Sequence, residues 1–256
     1  MERKETFNHA AKIYDASRPS YPDEVIDWII RRTGVKKDRR LLEIGAGTGQ
    51  ATLKFAERGY GIHCVEMGEN LANILLKKGK DYDLTVDVSA FEKWQPKTPF
   101  KTPFIFSATA FHWIDPGVKY KKCHELLEDR GYLVLMWHVA PNTQFDQVKK
   151  AYDILWEYYP KKKNLSKSSH QLIEERRQEI ENSGYFLMED YRAFSWKLHE
   201  SREQLTKSFF SQSSFVALSS EKQEVLRSKV IDLYQSLEDP LEAEMLTTVY
   251  TARKKS

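Results

Sequence analysis

Cysteine is scarce: the 256-residue chain has two, Cys64 and Cys123, far apart and with no Cys-x-x-Cys pair. That excludes a disulfide framework and a zinc ribbon, and it fits a reducing compartment. An excess of charge is lacking too. The formal net charge is +3, too little to argue for nucleic acid as a partner. No apolar run approaches the roughly 20 residues that a membrane-spanning helix needs. The first ten residues, MERKETFNHA, have no apolar core of a secretory leader. These absences lead us to expect a cytoplasmic protein without a membrane partner. Internal repeats and low-complexity stretches are missing as well. What remains, 41% hydrophobic and 30% charged, is the composition of a globular domain.

The most informative stretch is LLEIGAGTGQAT, Leu41 to Thr52. Leu41, Leu42 and Ile44 form the short apolar run of a buried parallel strand, interrupted by Glu43. Gly45, Gly47 and Gly49 follow with Ala46 and Thr48 between them, and helical spacing resumes at Gln50. Glycines let the backbone turn sharply and a ligand approach the peptide groups. A dinucleotide pyrophosphate asks for G-x-G-x-x-G, and here the third glycine comes one place early. An acid at the strand end would repel a pyrophosphate and suit a cationic ligand with an amino-acid end. The bland alternative is a plain glycine-rich turn.

Strand–helix alternation continues from there. Helix patterns at Asp23–Thr33, to about Arg58, Asn70–Lys78 and Lys119–Leu127 alternate with strand patterns at 40–45, Gly61–Glu66, Tyr82–Val88, Phe104–Ala108 and Tyr132–His138. Five such units argue for an α/β fold with a parallel, doubly wound sheet. In such folds an acid ending the second strand accepts hydrogen bonds from ribose hydroxyls, the position Glu66 holds. Asp87 ends the third strand, where it could meet adenine or cap the turn at Ala90–Trp94. His112 and Trp113 leave the carboxyl end of the fourth strand, where ligands bind in open α/β sheets. His112 could anchor a substrate carboxylate, act as a base, or be structural.

Beyond Pro141 the pattern turns helical, at Phe145–Tyr159, Leu172–Ser183, Ser201–Phe210 and Ser219–Leu237, with strands around Tyr191–Trp196 and at Met245–Ala252. We read 1–256 as a single domain in which 139–170 and 198–240 are helical insertions forming a cap. Residues 1–22 are a polar, aromatic arm. It is either packed by Phe7, Ile13 and Tyr14 or a lid that turns Tyr14 and Arg18 to the ligand. The basic loop Lys161–Lys167 reads as solvated.

Taken together, EIGAGTG at Glu43–Gly49, Glu66, Asp87 and SATAFHW at Ser107–Trp113 resemble the ordered motifs of class I methyltransferases that use S-adenosyl-L-methionine (SAM), of the type-11 kind. YDASRPSYP at Tyr14–Pro22 and SSFVALSSEK at Ser213–Lys222 are similar to a narrower set that includes the trans-aconitate-methyltransferase-like enzymes, which methylate carboxylates of small molecules. The resemblance implies a Rossmann-like, seven-stranded mixed sheet of order 3-2-1-4-5-7-6, with strand 7 antiparallel and helices on both faces. One departure lies before strand 5, where such enzymes commonly have Pro-Gly-Gly and this chain has Glu128-Asp129-Arg130-Gly131.

The resemblance also implies SAM as cofactor, S-adenosyl-L-homocysteine (SAH) as product, and no metal. Glu43, Gly45, Ala46, Gly47 and Gly49 would shape the space for the methionine part, flanked by Ser107 and Ala108. Glu66 would hold the ribose, Met67 would lie against adenine, and Asp87 and Val88 would meet adenine's polar edge. Tyr14 and Arg18 would close over the cofactor and, with His112 and Trp113, face the acceptor. The expected acceptor is a small molecule, with carboxylate O-methylation favoured. Nucleic acid is disfavoured: no [DN]-P-P-[YFW] motif for exocyclic amines and no Pro-Cys nucleophile is present. A non-catalytic SAM-binding protein is the remaining alternative, and monomer and homodimer both stay open.

Overall fold

In a computed structural model, which describes residues 11, 15, 18–139, 146–158 and 169–256, seven strands form one sheet in the order β3-β2-β1-β4-β5-β7-β6. The strands are β1 (Leu41–Ile44), β2 (Ile62–Glu66), β3 (Leu84–Val88), β4 (Thr102–Ala108), β5 (Leu127–Val139), β6 (Phe186–Glu200) and β7 (Leu241–Lys254). β1 pairs in parallel with β2 and β4, β2 with β3, and β4 with β5. β7 runs antiparallel to β5, in register from Tyr132 opposite Arg253 to Val139 opposite Leu246. The order and the reversed seventh strand are those the resemblance implied.

Contacts divide the chain into two compact units, one of which holds 20–139, 173–194 and 246–256. In it, alternate residues of each strand face opposite layers, as the period of two requires. Phe104, Phe106, Val134 and Met136 join Val25, Ile26 and Ile29 of α1 (Asp23–Thr33) and Phe55 of α2 (Thr52–Ala56). Ile105, Leu133, Leu135 and Trp137 point the other way. They meet Tyr120 and Cys123 of α4 (Pro116–Leu126) and Ile180 of α6 (Ser169–Asn182). Between these, α3 (Glu69–Lys78) buries Leu71, Ala72 and Leu75. Parallel pairing places the carboxyl ends of β1, β2, β4 and β5 along one edge.

The second unit holds 1–19, 140–172 and 195–245. Its core joins Ala151 and Leu155 of α5 (Asp146–Glu157), Phe209 and Phe210 of α7 (Arg202–Phe210), Phe215 of α8 (Ser213–Val216), and Leu226, Val230 and Tyr234 of α9 (Ser220–Gln235). Ser201 and Gln204 close a capping box at the start of α7, which pairs two otherwise unsatisfied backbone donors. Among the described residues, no helix is long and apolar enough to cross a membrane.

Several element boundaries differ from the sequence reading, and two of them have a local cause. The stretch Thr98–Pro103 is expected as loop, yet β4 begins at Thr102. Thr102 Oγ1 donates to the Arg40 carbonyl at 2.9 Å, and the pairing shifts register between Thr102 and Phe104. Pro103, which has no N–H to give, sits at that shift. The turn Glu128–Gly131 is part of β5, where Arg130 takes a positive φ of 61°. The chain thus makes with Arg130 a left-handed step that glycine makes without strain. The loop Lys161–Lys167 lies outside the described residues.

Candidate functional site

The glycine turn leaves β1 and is held from below by Glu43. Its carboxyl, 1% exposed, accepts from Thr52 Oγ1 at 2.5 Å, and Cys64 Sγ lies 3.9 Å away. Burial pushes its pKa up to about 8, so at pH 7 it is largely protonated. Glu43 braces the turn through Thr52 and Cys64. Gly45 has φ +71°, and a Cβ there would sit 2.4 Å from the Ala110 Cβ. Only a residue without a side chain lets the loops after β1 and β4 approach this closely. Ala46 is packed in the core at 4% exposure, and Gly47 and Gly49 also have positive φ.

Glu66 ends β2 at 5% exposure. One carboxylate oxygen accepts from the Gly47 N–H at 2.8 Å and the other from the Gly68 N–H at 2.7 Å. Burial raises its pKa, while these backbone bonds pull the other way. The Met67 N–H adds a third backbone contact to the carboxylate, leaving lone-pair capacity for a hydroxyl donor. A sugar hydroxyl fits that capacity; a phosphate, bearing like charge, does not. This is the observation on which the residues present fit an adenosyl ligand. Val88, at the end of β3, leaves 52% of its surface exposed. It is an apolar wall where an adenine contact is expected, and Met67, next to Glu66 in sequence, is half-buried.

Three expected contacts are engaged elsewhere. Asp87 Oδ2 accepts from the Trp94 indole at 2.7 Å and lies 3.0 Å from His63 Nε2. Those bonds, the Trp94 one first, hold its pKa below the usual range. An adenine contact is left to its other oxygen. Ser107 is fully buried and its hydroxyl donates to the Ile44 carbonyl at 2.7 Å, tying β4 to β1. Its side chain is a brace and not a ligand group; Ala108 beside it stays partly open. Arg18 belongs to the second unit, where Tyr152 and Glu200 feel its charge. Tyr14 lies outside the described residues.

After β4 the chain makes a strained step. Thr109 has φ 55°, unusual for a β-branched residue, and its Oγ1 lies 2.7 Å from the Tyr21 hydroxyl. Tyr21 stacks on His138 of β5 at 4.2 Å. A short 3-10 turn, Phe111–Trp113, then presents His112. Its Nδ1 accepts from the Trp137 indole N–H at 3.2 Å. An indole nitrogen only donates, so Nδ1 carries no proton and the hydrogen of the neutral ring is on Nε2. His112 is exposed at the surface, yet the protein packed around its ring, then the charges of Arg176 and Lys119, lower its pKa to about 4. Three causes and the Trp137 bond agree on a neutral ring. At neutral pH it offers an N–H donor and no free basic nitrogen. Trp113, 37% exposed, lies beside it with ring centroids 4.9 Å apart.

Trp137, Tyr21 and Arg176 are the site-edge residues that local sequence reading misses. Trp137 looks like one more apolar strand residue. Arg176 sits in IEERRQEIE, a pattern that reads as a solvated helix face.

Comparison with known proteins places this geometry. Residues 42–135 match the type-11 family described as "Methyltransferase domain". An uncharacterised methyltransferase of Mycobacterium tuberculosis is 30% identical over 133 residues, covering 52% of this chain and 52% of its own. The chain thus spans about half the length of that relative. An uncharacterised methyltransferase of Staphylococcus carnosus is 26% identical over 213 residues, covering 77% of this chain and 97% of its own. Among solved structures, YcgJ of Bacillus subtilis superposes with a TM-score of 0.58 at 14% identity, over 92% of this chain and 100% of its own. A Haemonchus contortus phosphoethanolamine N-methyltransferase, solved with phosphomonomethylethanolamine and SAH, has the same fold. Its TM-score is 0.58 at 14% identity, over 100% of this chain and 61% of its own.

Proposed function

We propose, from the match of residues 42–135 to a type-11 methyltransferase domain, that the protein methylates a small-molecule carboxylate with SAM. The cofactor supplies a methyl group already activated on a sulfonium. What falls to the protein is alignment and exclusion of water. Glu66 holds the ribose through its remaining lone pairs, the glycine turn around Gly45 and Gly47 leaves room for the methionine part, and Val88 walls the adenine. A nematode enzyme of the same fold binds SAH, which supports this reading.

One observation carries the choice of acceptor: the Trp137 indole N–H occupies His112 Nδ1. A phenol or amine acceptor must lose a proton, and His112 so held has no basic nitrogen to take it. A carboxylate is already ionised at pH 7 and needs donors only. The Nε2–H of His112 can give it one, and hydrogen bonds to a charged acceptor are the stronger kind.

The test is a matched panel of small carboxylic acids, phenols and amines assayed with labelled SAM across pH 6 to 8. Methyl esters should form, with kcat/KM nearly flat over that range. Transfer confined to phenols or amines, or a rate that climbs through a pKa of 6 to 7, would contradict the assignment.

A further inference from the structure

Six of the ten arginines in the sheet-bearing unit are matched with acids. Arg58 pairs with Asp23 and Asp27, Arg32 with Glu189 and Asp190, and Arg253 with Glu189. On helix α6 itself, Arg177 pairs with Glu181. Arg176, one place earlier, is different. Among the described residues no carboxylate lies within ion-pair distance of it. Glu179, the acid that its charge feels, is instead bonded to buried Lys119 at 2.5 Å. Arg176 Nη1 is buried and has no hydrogen-bond partner. Burial presses its pKa down, and a side-chain hydrogen bond with Tyr250 opposes that.

The guanidinium is nevertheless held in place. Its Cζ lies 4.2 Å from the centroid of the Trp137 ring, a cation–π contact. The same indole donates to His112. One tryptophan therefore fixes both a cation and a neutral N–H donor at the carboxyl end of β5. Tyr21 and Tyr191 complete the surroundings, each within electrostatic range of Arg176. A half-buried guanidinium with an unsatisfied N–H is costly, and such groups call for an explanation. An unmatched cation stacked on an aromatic face, with free edge N–H groups, suits a planar carboxylate.

We infer that Arg176 is the anion anchor of the acceptor site: it binds a carboxylate of the methyl acceptor beside the His112 Nε2–H. The inference rests on the methyltransferase reading and deepens it. It moves acceptor recognition from Arg18, expected from sequence, to Arg176. It also makes the substrate class an organic acid whose neutral amide is refused. Arg176 positions the acceptor and takes no part in breaking the sulfur–carbon bond.

The test uses the full chain loaded with SAH, titrated calorimetrically with acetate, benzoate, succinate and citrate and with their amides, and with inorganic phosphate. SAH binding is measured first on the unmutated protein; its absence removes the underlying reading. With SAH bound, at least one acid should bind well above its amide. Arg176→Gln should weaken that acid by about 10–100-fold, the worth of a charge-assisted contact. SAH affinity and Tm should stay put, and Arg176→Lys should recover part of the loss. Acids bound no better than amides, phosphate bound in preference, or equal losses for acid, amide and SAH in Arg176→Gln would overturn the inference and leave the SAM site standing.

Discussion

The two halves of the site are built by opposite means. On the β1–β3 side, the groups come from a short stretch of chain: Glu43, Gly45, Gly47 and Glu66 span one strand–turn–helix–strand passage. On the β4–β5 side, Tyr21, His112, Trp137 and Arg176 come from four separate places: His112 and Arg176 meet on Trp137, while Tyr21 lies against Thr109 and His138. The first half is preset by backbone: positive φ at the glycines and N–H groups aimed at a carboxylate. The second is preset by side chains packed on one indole. Backbone-built sites suit a ligand common to many proteins, and side-chain-built ones can change acceptor without disturbing the turn.

That difference can be broken experimentally. The largest effect belongs to the backbone half. In Glu66→Gln, one of the two backbone N–H donors must face an amide NH2, so a bond made now turns repulsive. SAH affinity should fall about 10–100-fold by calorimetry, with equal losses for all acceptors. Trp137→Phe comes next and touches only the other half. It removes the N–H that occupies His112 Nδ1. Rates with acids should drop by roughly 5–10-fold, about one hydrogen bond's worth, and the His112 pKa, followed by NMR, should rise from about 4. SAH affinity should not change. A variant that loses both would show the halves to be one coupled unit.

The smallest effect is on stability. Folding raises the Glu43 pKa to about 8 from 4.5, so between those values the native state holds a proton that the unfolded state has released. Stability then falls as pH rises, by on the order of 1 kcal/mol per pH unit. Glu43→Gln keeps an acceptor for Thr52 and should flatten that slope in denaturant melts at pH 5 to 8. An unchanged slope would mean that Glu43 is ionised in the fold.

The same contrast governs how far the sequence could be read. The strand–helix alternation, the glycine turn and Glu66 were legible because local periodicity and a contiguous motif encode them, whereas the sheet order came only with the family resemblance. The bond from Ser107 to the Ile44 carbonyl was not legible because strand alternation does not say which polar residue bridges two strands. Asp87 looked free because Trp94 and His63, its partners, lie on other elements. Arg176 was invisible because an arginine in a run of acids reads as solvated, and only the fold shows that its acids are engaged by Lys119 and Arg177. His112 could be flagged by position, but its tautomer is set by a tryptophan far along the chain.

The central claim is that the turn Gly45–Gly49, with Glu66 behind it, holds an adenosyl sulfonium and no phosphate. The most direct check is calorimetric titration of the full chain with SAM, SAH and NAD in parallel. The account predicts one-to-one binding of SAM and SAH and none of NAD. Binding of NAD at this turn, or failure of both sulfur ligands to bind a folded chain, would contradict it.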